Sequence, residues 1–113
     1  MLETDYPSAN SKIKFDTFKD KLLNDYKLAV LSRECSLLGR KEVLTGKAKF
    51  GVFGDGKELP QVVLSHFFKE GDYRAGYYRD QTILMGQNLL TPKQFFSNLY
   101  ANPNIKEEPM SGG

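Results

Sequence analysis

The segment Tyr73-Arg74-Ala75-Gly76-Tyr77-Tyr78-Arg79-Asp80-Gln81 holds two arginines and three tyrosines within seven positions. A guanidinium presents a fixed fork of donors that matches phosphate or carboxylate oxygens, and a tyrosine hydroxyl adds one more donor. A helix that begins at Arg79 would turn its free N–H groups toward the same anion. The plain alternative is an aromatic strand that packs a small core, with Arg79 paired to Asp80 or Glu70. The residues alone leave both open.

The other candidates have simpler readings. Gly54-Asp55-Gly56 is followed 33 residues later by Asn88, and two such oxygen ligands suit a magnesium ion. That site needs a buried parallel strand after the glycines, whereas Lys57-Glu58 and Pro60 follow here, so the motif reads as a turn. The three glycines of Gly51–Gly56 do not match the spacing of a dinucleotide loop or a P-loop. His66, the one histidine, reads as structural, and Cys35, the one cysteine, as a small hydrophobe.

Composition narrows the classes further. A single histidine excludes a two-histidine zinc site, and a single cysteine excludes an internal disulfide framework. Sixteen basic against fourteen acidic residues give +2, which carries no sign of nucleic-acid or anionic-membrane binding. No apolar run is long enough to span a bilayer, and the acidic, polar start does not read as a signal peptide. A cytoplasmic protein of one small domain, or part of a larger one, is expected.

Four helices are expected to position these residues. Phe15, Phe18, Leu22, Tyr26, Ala29 and Arg33 follow steps of three and four, with Asp16 or Thr17 as cap and Gly39 as the stop. Residues 40–57 read as a glycine-punctuated loop. A second helix starts near Gly56 or Lys57 and turns Leu59, Val62, Val63 and Phe67 inward. Tyr73 to Tyr78 suggest a brief strand or extended segment, and a third helix runs from Asp80 to Gln87 or Asn88. Thr91-Pro92-Lys93-Gln94 signals a capping box before a fourth helix with Phe95, Phe96, Leu99 and Tyr100 on one side. The fold class is mainly α, with at most one or two short strands. Residues 1–11 read as a disordered lead-in, 12–102 as the helical region and 103–113 as a polar tail.

Tyr77-Tyr78-Arg79-Asp80-Gln81, Ile83-Leu84-Met85 and Phe95-Phe96-Ser97-Asn98-Leu99-Tyr100-Ala101-Asn102 together resemble the thiamine-diphosphate-dependent 2-oxo acid dehydrogenases. The similarity is to the decarboxylating first component of the branched-chain (2-oxoisovalerate) type, in the fused α/β form of Bacteroidetes-type bacteria. Lys27–Glu34 and Phe50–Glu58 resemble the same proteins, so the similarity covers most of residues 15–113. It implies an N-terminal piece of a larger thiamine-diphosphate-binding α/β fold. It also implies that Tyr78 and Arg79 contact the cofactor diphosphate. Pyruvate-type members carry a histidine where this chain has Gln81, whose amide can hydrogen-bond a phosphate.

The implied parent reaction is oxidative decarboxylation of a 2-oxo acid, with acyl transfer to lipoamide on a partner acyltransferase. The family's magnesium site and catalytic glutamate lie beyond this segment. The chain is therefore expected to hold no metal, cofactor or catalytic residue by itself and to be inactive alone. Its expected partners are the rest of the dehydrogenase and the lipoyl acyltransferase, with self-association through apolar surface left bare. The competing expectation is a small helical interaction module without cofactor, in which the aromatic segment and the Phe95-Phe96 helix form a protein-binding face.

Overall fold

The computed structural model describes residues 15–108. The expected lead-in and the last five residues of the tail lie outside the described residues. Four helices follow one another: α1 (Phe15–Leu44), α2 (Glu58–Ser65), α3 (Gln81–Gly86) and α4 (Pro92–Leu99). No strand occurs among the described residues, so of the strand or extended segment expected over Tyr73 to Tyr78 the strand is not formed, and the segment runs without regular structure into a turn. The mainly helical fold class holds.

The first helix runs past its expected stop at Gly39. Gly39 is buried inside α1, where an added Cβ would stand 2.5 Å from Cε1 of Phe53. The glycine serves close packing there, and its cost to the helix interior is offset by the contact. The helix ends at Gly46, with φ of 76°. The Lys47 N–H donates to the Glu42 carbonyl at 2.9 Å and the Gly46 N–H to Val43 at 3.0 Å, the paired closure of a left-handed C-cap.

The inner face of α1 is made of small residues. Ser32, Cys35, Ser36 and Gly39 are buried, whereas Leu22, Leu23, Val30, Leu31, Leu37 and Leu38 are exposed. Small side chains let α2 and α3 close on α1, and the two short helices also pack on each other. The interface is polar as well as tight. Ser32 Oγ and Thr82 Oγ1 share a buried hydrogen bond of 2.6 Å, and Gln81 Nε2 donates to Ser36 Oγ at 2.7 Å. Cys35, Met85 and Leu90 form the apolar centre, with Leu28, Leu84, Phe95 and Phe96 packed around it.

The expected face of α2 is replaced by another. Val62 is buried, but Leu59, Val63 and Phe67 are exposed, and Glu58, Gln61 and Ser65 turn inward instead. The reason is electrostatic. Arg33 on α1 clasps Glu58 with two bonds, Nε to Oε1 at 2.7 Å and Nη2 to Oε2 at 2.8 Å. The Gly56 N–H also donates to both carboxylate oxygens. A carboxylate that is buried and fully engaged fixes the rotation of an eight-residue helix about its axis more firmly than two exposed apolar side chains.

Helix α4 carries the expected capping box: Gln94 N donates to Thr91 Oγ1 at 3.2 Å and Thr91 N to Gln94 Oε1 at 2.9 Å, with Pro92 in the first turn. Tyr100, just past its end, donates to Glu42 Oε2 of α1 at 2.5 Å. Residues 103–108 are the described part of the polar tail. They fold back on α4, where Asn98 Nδ2 donates to Glu108 Oε1 at 3.3 Å and Lys93 pairs with Glu107 at 3.0 Å. Glu108 is buried.

The Arg33 guanidinium holds the Glu58 carboxyl down to about 2, from an ordinary 4.5. A lowered native value adds stability above the unfolded value and withdraws it as pH falls toward the native one. Glu58→Gln should therefore lower the Tm by several degrees at pH 7. That deficit should shrink as pH falls from 4.5 to about 2. Thermal melts across that range check it, and a deficit that does not depend on pH would contradict the clasp.

Candidate functional site

The Tyr73–Gln81 loop is built from both sides. Asp80 Oδ2 accepts from Arg74 Nη1 at 2.8 Å and from the Tyr77 N–H at 2.9 Å, while the Asp80 N–H donates to the Tyr77 carbonyl at 3.0 Å. These bonds close the turn that presents Tyr77, Tyr78 and Arg79. From behind, Gln61 Nε2 donates to the Arg79 carbonyl at 3.1 Å. Gly54 lies against the same carbonyl, and a Cβ on it would stand 2.6 Å from that oxygen. The Gly54-Asp55-Gly56 motif is thus a turn, closed by Lys57 N to the Gly54 carbonyl at 2.9 Å. Its first glycine gives the Tyr-Arg loop room.

The two tyrosine rings lie 3.9 Å apart, centroid to centroid, and Tyr77 donates its hydroxyl proton to Tyr78 at 2.5 Å. That bond lowers the Tyr78 phenol below its ordinary value, aided by the Arg79 guanidinium, and raises Tyr77. Arg79 Cζ stands 5.8 Å and 5.7 Å from the two ring centroids. Such a stack orients a guanidinium, and Arg79 also gives a hydrogen bond to the Tyr78 hydroxyl that helps lower that phenol.

Arg79 is exposed and pairs with no carboxylate among the described residues. The alternative pairing with Asp80 or Glu70 does not occur, because Asp80 belongs to Arg74. The expected aid from a helix start is small. Helix α3 begins two residues after Arg79 and is only six residues long, under two turns.

Gln81 sits behind Tyr78 and is buried. Its amide nitrogen serves Ser36, and its Oε1 has no hydrogen-bond partner. The residue lines a cavity of about 530 Å³ together with Arg74, Tyr77, Tyr78, Leu84 and Phe95. A second cavity of about 350 Å³ lies beside it, with Lys49, Phe50 and Phe53 on its wall. Tyr78, Phe95 and Asn98 face both. Asn98 was not singled out in the sequence, where nothing separates it from any polar helix residue.

The remaining candidates are structural. His66 Nε2 lies 2.8 Å from Asp25 Oδ1 of α1. Cys35 is in the core, and burial raises its thiol above the ordinary value. Asp55 pairs with Arg40, and Asn88, with φ of 57°, closes the end of α3. Among the described residues no group of three or more His, Cys, Asp or Glu could hold a metal ion.

Gly54→Ala tests how the loop is held. The added methyl group meets the Arg79 carbonyl, so the Tyr77–Tyr78 stack should shift. A loss of tyrosine near-ultraviolet dichroism with helical content kept is expected, with stability lower by about 1–3 kcal/mol. Unchanged spectra and Tm would show that Gly54 does not support the loop.

Comparison with protein-family models, with curated proteins and with solved structures finds no match to this chain.

Proposed function

We propose that the chain is the N-terminal segment of a thiamine-diphosphate-dependent 2-oxo acid dehydrogenase, and that Tyr78 and Arg79 hold the cofactor's diphosphate. The observation that carries this reading is the state of Arg79: exposed, oriented by two aromatic rings and paired with no carboxylate among the described residues. Arg79 gives a hydrogen bond to Tyr78, and a guanidinium with five N–H donors and no carboxylate partner still has donors to offer an outside anion. The same loop borders a cavity lined by Arg74, Tyr77, Tyr78 and Gln81, which gives a ligand held by the Tyr-Arg pair room beside the loop. Gln81 then acts through a neutral hydrogen bond and transfers no proton.

In this reading thiamine diphosphate supplies the carbanion chemistry of decarboxylation, and the chain's own residues bind and orient. Arg79 offsets the diphosphate charge, Tyr78 offers its hydroxyl, and Leu84 and Phe95 give the cavity an apolar wall. Magnesium would take its ligands from elsewhere in the parent enzyme. The segment alone turns over no 2-oxo acid. Its partners would be the rest of the dehydrogenase and the lipoyl acyltransferase, in a cytoplasmic complex.

A helical interaction module without cofactor is the second reading. The large apolar residues exposed along α1 favour it, because a long helix with bare leucines is made to be covered.

Replacing Arg79 with Ala in the full-length enzyme should weaken thiamine diphosphate binding by about 1.5–3 kcal/mol, or one to two powers of ten in Kd. Calorimetric titration of cofactor into both enzymes measures this. An unchanged Kd would remove Arg79 from the site.

A further inference from the structure

We propose that α1 is a self-complementary dimerisation helix, pairing antiparallel with α1 of a second copy of this chain. The proposal needs no cofactor and stands apart from the reading above. Its basis is the outer face of α1. Leu23, Val30, Leu37 and Leu44 recur every seven residues and are 43%, 40%, 44% and 80% exposed. Residues seven apart fall on one nearly straight stripe, a narrow apolar row along which a second helix can lie. Leu31 and Leu38 form a second exposed row, and Lys27 and Glu34 lie between the rows.

The choice of a second copy over any other helix comes from symmetry. An antiparallel copy centred on the point between Val30 and Leu31 sets Lys27 opposite Glu34 and, within about one residue, the Leu23–Leu44 row opposite itself, with Val30 at its middle. That point lies within about a residue of the midpoint of Phe15–Leu44, so an antiparallel copy centred there overlaps nearly the whole helix, about 45 Å. Lys27 of one protomer then faces the partner's Glu34, and Glu34 faces the partner's Lys27. Val30 meets the partner's Val30, and Leu23 meets the partner's Leu37. A parallel in-register pair would instead set Lys27, Arg33, Glu34, Arg40 and Lys41 each beside its own kind. A shift of one heptad's worth in the antiparallel register sets Glu34 against Glu34. The charges therefore select one orientation and one register.

Sedimentation equilibrium of the 113-residue chain tests this. A species of twice 12.8 kDa is expected in the micromolar range. Val30→Glu lies on the exposed face, so it should leave the helical spectrum intact and yield a monomer. Lys27→Glu should raise the dimer dissociation constant about tenfold or more, and adding Glu34→Lys should restore it. Orientation is read by disulfide formation in a Cys35→Ala background. Mixed Leu23→Cys and Leu37→Cys chains should join to each other and not to themselves. A chain that stays monomeric, a dimer that Val30→Glu leaves unchanged, or self-joined cysteine variants would overturn the proposal.

Discussion

Helix α1 brings Ser32, Cys35, Ser36 and Gly39 to its inner face, and these small side chains set how closely everything else can approach. Phe53 fits only because Gly39 has no side chain. Thr82 and Gln81 reach Ser32 and Ser36 only because α3 can come near enough for hydroxyl and amide to touch. A larger residue in that row would separate α3 from α1 and leave buried polar groups unpaired, at about 1–3 kcal/mol each. The same constraint explains the exposed leucines. A helix that spends its inner face on small residues leaves its large ones outside, where another surface must cover them.

The Tyr77–Arg79 loop depends on that packing at one remove. Gln81 and Thr82 anchor the start of α3 to α1, Gln61 holds the Arg79 carbonyl from α2, and α2 takes its rotation from the Arg33–Glu58 clasp. Charges are sorted along the way. Arg33, Arg40 and Arg74 are matched to Glu58, Asp55 and Asp80. Arg79, by contrast, rests on aromatic faces. This partition separates three arginines tied to carboxylates from one that rests on tyrosine rings, and it links the packing of α1 to the shape of the loop.

Much of the fold was legible because its signals are local. The Thr91–Gln94 capping box and the turn at Gly54–Gly56 each involve residues a few positions apart, so short sequence patterns reveal them. The Tyr-Arg loop stood out by residue type alone. What stayed hidden depends on distant partners. Gly39 reads as a helix stop until Phe53 is seen to need its space, and the rotation of α2 follows from Arg33, twenty-five residues before Glu58. Of the two readings of Tyr73 to Tyr78, the strand does not form, because the described residues hold no second strand to pair with it, and Asp80 closes the segment's end as a turn. Gln81 was marked from resemblance, but its tie to Ser36 spans forty-five residues and has no sequence signature.

The central claim is that an arginine held on two tyrosine rings serves an enzyme much larger than this segment. The most direct test is the size of the natural polypeptide that carries it. An antibody against residues 15–108, applied to an extract of the cells that make this chain, should detect a band several times larger than 12.8 kDa. A single band at 12.8 kDa would contradict the dehydrogenase reading and leave the interaction module in its place.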